Sequence, residues 1–321
     1  MTGVVALAAI MLGTWPIWVV STIVFDLVRR KHRLPTLRLV AFALCWAWIE
    51  VGGLVASAVL FLTGRGRKLR SHFALQRSWA GSLMTALRYT VGIRIVVENP
   101  EVLRPGPIVV FSRHASLADS LVSAYAVGNV AGLCPRYVLK RELMADPCLD
   151  IVGHRLPNCF LNRSSDNQEE ELRGIAQLGH DLGANDVAVI FPEGTRTNPA
   201  KRERILSSMA ERSPDRADRL SGLRHLLPPK PAGALALLEA APQADVVIAG
   251  HTGFDGLDTF GGMLKRLESG AGDARMWFVR IPRAEVPVDG IVEWLDARWL
   301  ELDRAVAAHL EQADNDEGKN R

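Results

Sequence analysis

The sequence predicts an α/β fold: a mixed central sheet flanked by helices, preceded by a two-helix membrane segment. Three observations point there. Short apolar runs, such as residues 107–111 and 187–191, have the length and composition of buried strands. Longer stretches with helical periodicity lie between them, and strands alternating with helices describe an α/β domain. Ahead of them all, residues 4–28 and 37–63 are two apolar runs. Each is long enough to cross a bilayer, for which about 20 residues suffice.

The first run carries Trp15, Pro16 and Trp18. No basic residue precedes its apolar core and no short cleavage pattern follows, which is unlike a signal peptide. The second run is broken only by Arg38, Glu50 and the pair Gly52-Gly53. Trp15, Trp18, Trp46 and Trp48 read as interface anchors and core. Arg29, Arg30, Lys31 and Arg33 lie between the runs, and Arg65, Arg67, Lys68 and Arg70 follow the second. Both clusters favour the cytoplasmic side, yet two full crossings would put them on opposite sides. One resolution is a tilted or re-entrant segment, bent at Pro16 or at Gly52-Gly53. Glu50 should then face water or the partner helix. These features divide the chain into a membrane-embedded hairpin at 1–68, an α/β domain at 69–312 and a polar tail at 313–321, expected to be disordered.

Residues 70–91 alternate apolar and basic positions as an amphipathic surface helix does. Strands are expected at 93–98, 107–111, 136–140, 159–161, 187–191, 245–250 and 276–282. Helices are expected at 117–127, 141–143, 166–182, 198–220 with a break at Pro214, 234–240 and 290–312. The 321 residues suffice for a sizeable core, and a net charge of +3 is too small an excess to argue for nucleic acid. Four cysteines, Cys45, Cys134, Cys148 and Cys159, lack metal-type spacing. They read as reduced, mostly buried thiols of a domain facing a reducing compartment.

Polar residues stand just past three strand ends, where α/β domains build sites. His114 and Asp119 follow the first, Asn162-Arg163 the second, and Glu193, Gly194, Thr195 and Arg196 the third. A carboxylate beside an imidazole holds one tautomer and steadies the cation, which makes a general base. Arg163 and Arg196 are candidate phosphate receptors, since a guanidinium grips phosphate through two parallel bonds. Glu193 is placed to orient an arginine or hold a hydroxyl, and Gly194 allows close backbone approach to a ligand. A base and a phosphate site beside a membrane anchor suggest chemistry on a phospholipid-like hydroxyl. Ser116 lacks the GxSxG turn of an esterase and reads as a helix-start residue. His154, His180, His225, His251 and His309 have no matching spacing and read as structural or exposed.

The string Ser112-Arg113-His114-Ala115-Ser116-Leu117-Ala118-Asp119 resembles the HxxxxD motif of the glycerolipid acyltransferase family. Phe160-Leu161-Asn162-Arg163 is similar to its second motif, and Phe191-Pro192-Glu193-Gly194-Thr195-Arg196 to its third, FPEGTR. Leu223-Arg224-His225-Leu226-Leu227-Pro228-Pro229-Lys230 and Arg280-Ile281-Pro282 resemble the branch of lysophosphatidate and lysocardiolipin acyltransferases. A lysine at 230 stands where that branch often has arginine, and the Val/Ile-Pro pair of the fourth motif has no clear counterpart.

The resemblance implies acyl transfer from acyl-CoA or acyl carrier protein, as co-substrate, to the free hydroxyl of lysophosphatidate. His114 would be the base and Asp119 its orienter. Arg163, Glu193, Gly194, Thr195 and Arg196 would bind substrate, with backbone amides near Gly194 offered to the oxyanion. It implies no metal and no bound cofactor. The partners would be a lysophospholipid and the bilayer, with the catalytic domain on the cytoplasmic face. Lysocardiolipin and lysophosphatidylglycerol are the alternative acceptors, and an inactive lipid-binding protein is the alternative of another class.

Overall fold

The computed structural model describes residues 2–116, 118–161, 168–254, 260–269 and 272–319. At its centre is a seven-stranded sheet in the order β1-β7-β6-β2-β5-β3-β4. In chain order these strands are β1 (Arg94–Val97), β2 (Ile108–Ser112), β3 (Cys134–Lys140), β4 (Cys159–Leu161), β5 (Asp186–Ile190), β6 (Asp245–Thr252) and β7 (Asp273–Ile281). Each overlaps a strand expected from sequence. Pairing is parallel throughout except between β6 and β7, so the sheet is mixed.

Between their polar ends the three central strands are apolar throughout, and the packing shows why. In β2, Ile108 and Val110 enter one core while Val109 and Phe111 enter the other. Val187, Val189 and Ala188, Ile190 of β5 divide in the same way, as do Val247, Ala249 and Val246, Ile248 of β6. Successive side chains of a strand point to opposite faces, so the middle of a strand buried on both faces is apolar at consecutive positions. One face is covered by α4 (Leu69–Ala86) and α5 (Asp119–Ala124), which continues as a π-helical turn at Tyr125–Val130. The other is covered by α7 (Gln168–Gly179), α10 (Pro231–Ala240) and α12 (Ile291–Lys319).

The N-terminal region differs from a simple two-helix hairpin. The first apolar run forms two helices, α1 (Thr2–Gly13) and α2 (Trp15–Val28), bent by 76° at their junction. Pro16 lies in the first turn of α2, where proline is tolerated inside a helix. The second run is one unbroken helix, α3 (Pro35–Leu62), the one described helix long and apolar enough to cross a membrane by itself. Gly52-Gly53 does not bend it. Gly53 instead lets α6 (Pro147–Gly153) approach, since a Cβ there would stand 2.4 Å from Cys148 Sγ.

One stripe of α3 is bound to the rest of the molecule along most of its length. Arg38 donates to the carbonyls of Thr90 and Val91 at 2.9 and 2.5 Å. Glu50, fully buried, accepts from Trp79 Nε1 at 2.6 Å and from the Cys148 amide at 3.1 Å. Arg155 donates to Ser57 Oγ at 2.6 Å. Residues 38 to 57 span about 28 Å at 1.5 Å per residue. The outer faces of α2 and α3 stay bare, with Ile17 68% and Leu62 81% exposed.

Two further differences concern the ends of elements. The polar segment from Ala313, expected to be disordered, continues α12 as helix to Lys319. Residues 198–220 do break at Pro214, into α8 (Pro199–Arg212) and α9 (Pro214–Leu220). All four cysteines are free thiols.

Candidate active site

Three adjacent strand ends converge on one turn. β2 lies between β5 and β6, and its chain leaves the sheet at Ser112 to enter the turn that carries His114. His114 Nδ1 lies 2.9 Å from Asp119 Oδ2, the first residue of α5. The same oxygen accepts the amides of Ala115 and Ser116 at 2.6 and 2.8 Å, and Asp119 Oδ1 accepts the Ser116 hydroxyl. The Ser116 hydroxyl is fully buried and also accepts the Ala118 amide at 3.1 Å, so it serves the turn as a helix-start residue does. Burial alone would raise the Asp119 pKa. The neighbouring His251 and His114 imidazoles and the Ser116 hydroxyl outweigh it and hold the carboxyl below its ordinary value.

Glu193 follows β5 and is 1% exposed. Its Oε1 accepts the His114 amide at 2.8 Å; its Oε2 accepts the Leu227 amide at 2.9 Å and the Thr197 hydroxyl. Burial pushes this carboxyl up to about 7, although those three donors and the Arg113 charge oppose the rise. Thr197 completes the clamp by donating its amide to the His114 carbonyl at 2.8 Å. Both Glu193 oxygens thus meet protein donors. The Leu227 loop is itself tied to α12: Asp303 accepts the amides of Arg224, His225 and Leu226, and Trp299 Nε1 donates to the Leu227 carbonyl at 3.0 Å.

A cavity of about 670 Å³ opens beside His114, whose side chain is 15% exposed. Arg196, Lys230, Lys140, Gly194 and Ser120 stand in its wall. Gly194 has φ +68°, in the left-handed region that glycine adopts at little cost. A Cβ there would also press on Lys230, whose Cδ and Nζ lie 3.2 and 3.4 Å away. The Gly194 amide donates to the Phe191 carbonyl at 2.9 Å. The Thr195 hydroxyl accepts from Lys201 Nζ at 3.2 Å.

A second cavity of about 400 Å³, almost wholly apolar, lies between α3, α4, α5 and α6. Phe42, Trp46, Leu83 and Val152 stand in its wall, and Ser120, Leu139 and Leu143 belong to both cavities. The molecule therefore offers a cationic chamber at the histidine and an apolar one beside it.

Among the residues singled out from sequence, the structure gathers His114, Asp119, Glu193, Gly194, Thr195 and Arg196 around one turn. Arg163 lies outside the described residues. Lys140 and His251 were not among the expected site residues. His251 is 1% exposed, and its Nε2 lies 3.4 Å from Asp119 Oδ1. A histidine just past the apolar run 246–250 was the signal available for it.

Residues 94–251 match the Acyltransferase family model. A "Probable 1-acyl-sn-glycerol-3-phosphate acyltransferase" of Mycoplasma pneumoniae is 25% identical over 114 residues, 36% of this chain and 42% of that protein. The "1-acyl-sn-glycerol-3-phosphate acyltransferase epsilon" of Mus musculus is 25% identical over 239 residues, 70% of this chain and 63% of that protein. The chain thus spans less than two thirds of either relative. The crystal structure of the 1-acyl-sn-glycerophosphate acyltransferase PlsC from Thermotoga maritima superposes with a TM-score of 0.57 at 17% identity, over 87% of this chain and 98% of that one.

Proposed function

We infer from the Acyltransferase family match at residues 94–251 that this chain moves a fatty acyl group from a thioester to the free hydroxyl of lysophosphatidate. The observation that carries the reading is the 2.9 Å contact of His114 Nδ1 with Asp119 at the mouth of a cavity bearing Arg196 and Lys230. With Nδ1 held by the carboxylate, Nε2 is the nitrogen that receives the hydroxyl proton. The acceptor oxygen bonds to the acyl carbon, the carbon–sulfur bond breaks, and the proton passes from Nε2 to the departing thiolate. Asp119 steadies the imidazolium in between. Arg196 and Lys230, with Lys140, receive the acceptor phosphate. The apolar cavity takes a hydrocarbon tail, and the shared wall at Ser120, Leu139 and Leu143 joins tail to headgroup. Glu193 acts on the catalytic turn through the His114 amide instead of touching substrate.

The same reading places the molecule on a membrane without crossing it. A helix bound to the catalytic domain from Arg38 to Ser57 cannot traverse a hydrocarbon layer of about 30 Å while the domain stays outside. We therefore assign α3 to the plane of the interface, with the bent α1–α2 pair beside it. Both basic clusters then meet anionic headgroups of one leaflet, the cytoplasmic one, where thioester donors are made.

The test is a panel of acceptors with one labelled acyl-CoA. Lysophosphatidate should be the preferred acceptor, and His114→Ala should lower kcat by about 10²- to 10⁴-fold without unfolding the protein. Transfer to lysocardiolipin or lysophosphatidylglycerol alone would move the acceptor assignment. Full activity in His114→Ala would remove the general base.

A further inference from the structure

We propose that His251 is a positioning residue for the catalytic carboxylate, so that Asp119 is held between two imidazoles. The proposal rests on the reading of His114 and Asp119 as a general-base pair. His251 Nε2 lies 3.2 Å from the Arg113 carbonyl and 3.4 Å from Asp119 Oδ1. Both neighbours are acceptors, so in this arrangement Nε2 carries the hydrogen. At 3.4 Å the contact with Asp119 is an electrostatic one, longer than a full hydrogen bond.

The contacts around it fix the ring. Arg113 returns a bond from Nη1 to the His251 carbonyl at 2.5 Å, and its amide donates to the Ala249 carbonyl at 3.0 Å. The ends of β2 and β6 are thereby locked to each other where the chain enters the turn that carries His114. Phe254 meets the His251 ring edge-on at 5.9 Å, and Met276 of β7 lies opposite His251 in the sheet. All of this is buried: Arg113, His251 and Asp119 are each at most 2% exposed.

The arrangement divides the work between the two carboxylate oxygens. Oδ2 takes His114 Nδ1 and two backbone amides. Oδ1 takes the Ser116 hydroxyl and faces His251. The Ser116 hydroxyl already tethers Oδ1, and the His251 N–H adds a second, electrostatic contact at that oxygen that biases the carboxylate's rotation about its terminal bond. Its orientation sets that of His114, whose Nε2 must meet the acceptor hydroxyl within a few tenths of an ångström.

The experiment compares His251→Leu with His251→Gln, whose side-chain amide can reach the same acceptors. His251→Leu should lower kcat about 10- to 100-fold with KM for both substrates within about twofold, and His251→Gln should recover most of the loss. Equal losses in the two variants, or a change in KM alone, would overturn the proposal. In an Asp119→Asn background, His251→Leu should cost less than about twofold more. A full multiplicative loss there would show that His251 does not act through Asp119. If thermal melting shows that His251→Leu does not fold, His251→Asn, too short to reach Asp119, replaces it in the comparison. A wild-type protein inactive on every acceptor would count against the acyl-transfer reading, not against this one. The His114 Nδ1 proton resonance needs no substrate. It should shift in His251→Leu and stay in His251→Gln; an unmoved resonance in His251→Leu overturns the positioning role.

Discussion

Two buried carboxyls beside His114 are shifted in opposite directions, and stability should show both. Asp119 is held below its ordinary value of 3.8, so its contribution is present above that value and is lost as pH falls through the folded-state value. Glu193 is pushed up by burial from 4.5 to about 7. Its contribution is complete below 4.5 and is lost as pH rises through 7, a change on the order of 3 kcal/mol. The denaturation midpoint of the wild type should therefore fall between pH 5 and pH 8. Glu193→Gln, which does not titrate, should fall less over that interval while being less stable at pH 5, because its amide presents N–H groups to donors that need an acceptor. Identical slopes for the two proteins would refute the buried Glu193. At this scale the sequence was a good guide to which residues meet and a poor one to what each touches. His114 and Asp119 were legible because a fixed spacing puts them on one turn. The inward turn of Glu193 was not, since its partners His114 and Leu227 come from separate segments. His251 was hidden for the same reason: strand order, not spacing, brings it to Asp119.

The strands were legible because burial on both faces leaves an apolar run bounded by turn residues. Short helices were not. α6 begins at Pro147 and has seven residues, too few for a periodicity to register. α11 (Phe260–Ser269) opens on Phe260-Gly261-Gly262, a composition that reads as loop. The bend in the first apolar run was foreseen at Pro16, and the same expectation at Gly52-Gly53 fails because each glycine has a different neighbourhood. A Cβ at Gly52 meets nothing within 4 Å, whereas one at Gly53 meets Cys148 Sγ at 2.4 Å. Gly52→Ala should then raise stability by up to about 1 kcal/mol through helix propensity. Gly53→Ala should lower it by about 1–3 kcal/mol, by prying α3 from α6. Thermal melting of the two variants in the same detergent decides it, and equal shifts would refute the packing of α3 on the domain.

For the whole molecule, the conflict between two apolar runs and two like-charged flanks disappears once α3 lies along the domain. Lys31 makes an ion pair with Glu268 of α11, which ties the first basic loop to the α/β domain. Single cysteines introduced at Arg30 and Arg67 should both be labelled by an impermeant reagent from the side that carries the α/β domain. Labelling from opposite sides of sealed vesicles would mean that α3 crosses. The hydrogen bonds that run from α12 through the Leu227 loop and Glu193 to the His114 amide have a further consequence, in the order of synthesis. The apolar helices α1–α3 and the histidine precede α12 in the chain by well over a hundred residues. The clamp that fixes its turn arrives only with Trp299 and Asp303. The turn that carries His114 is therefore held in place only once α12 has been made and has docked.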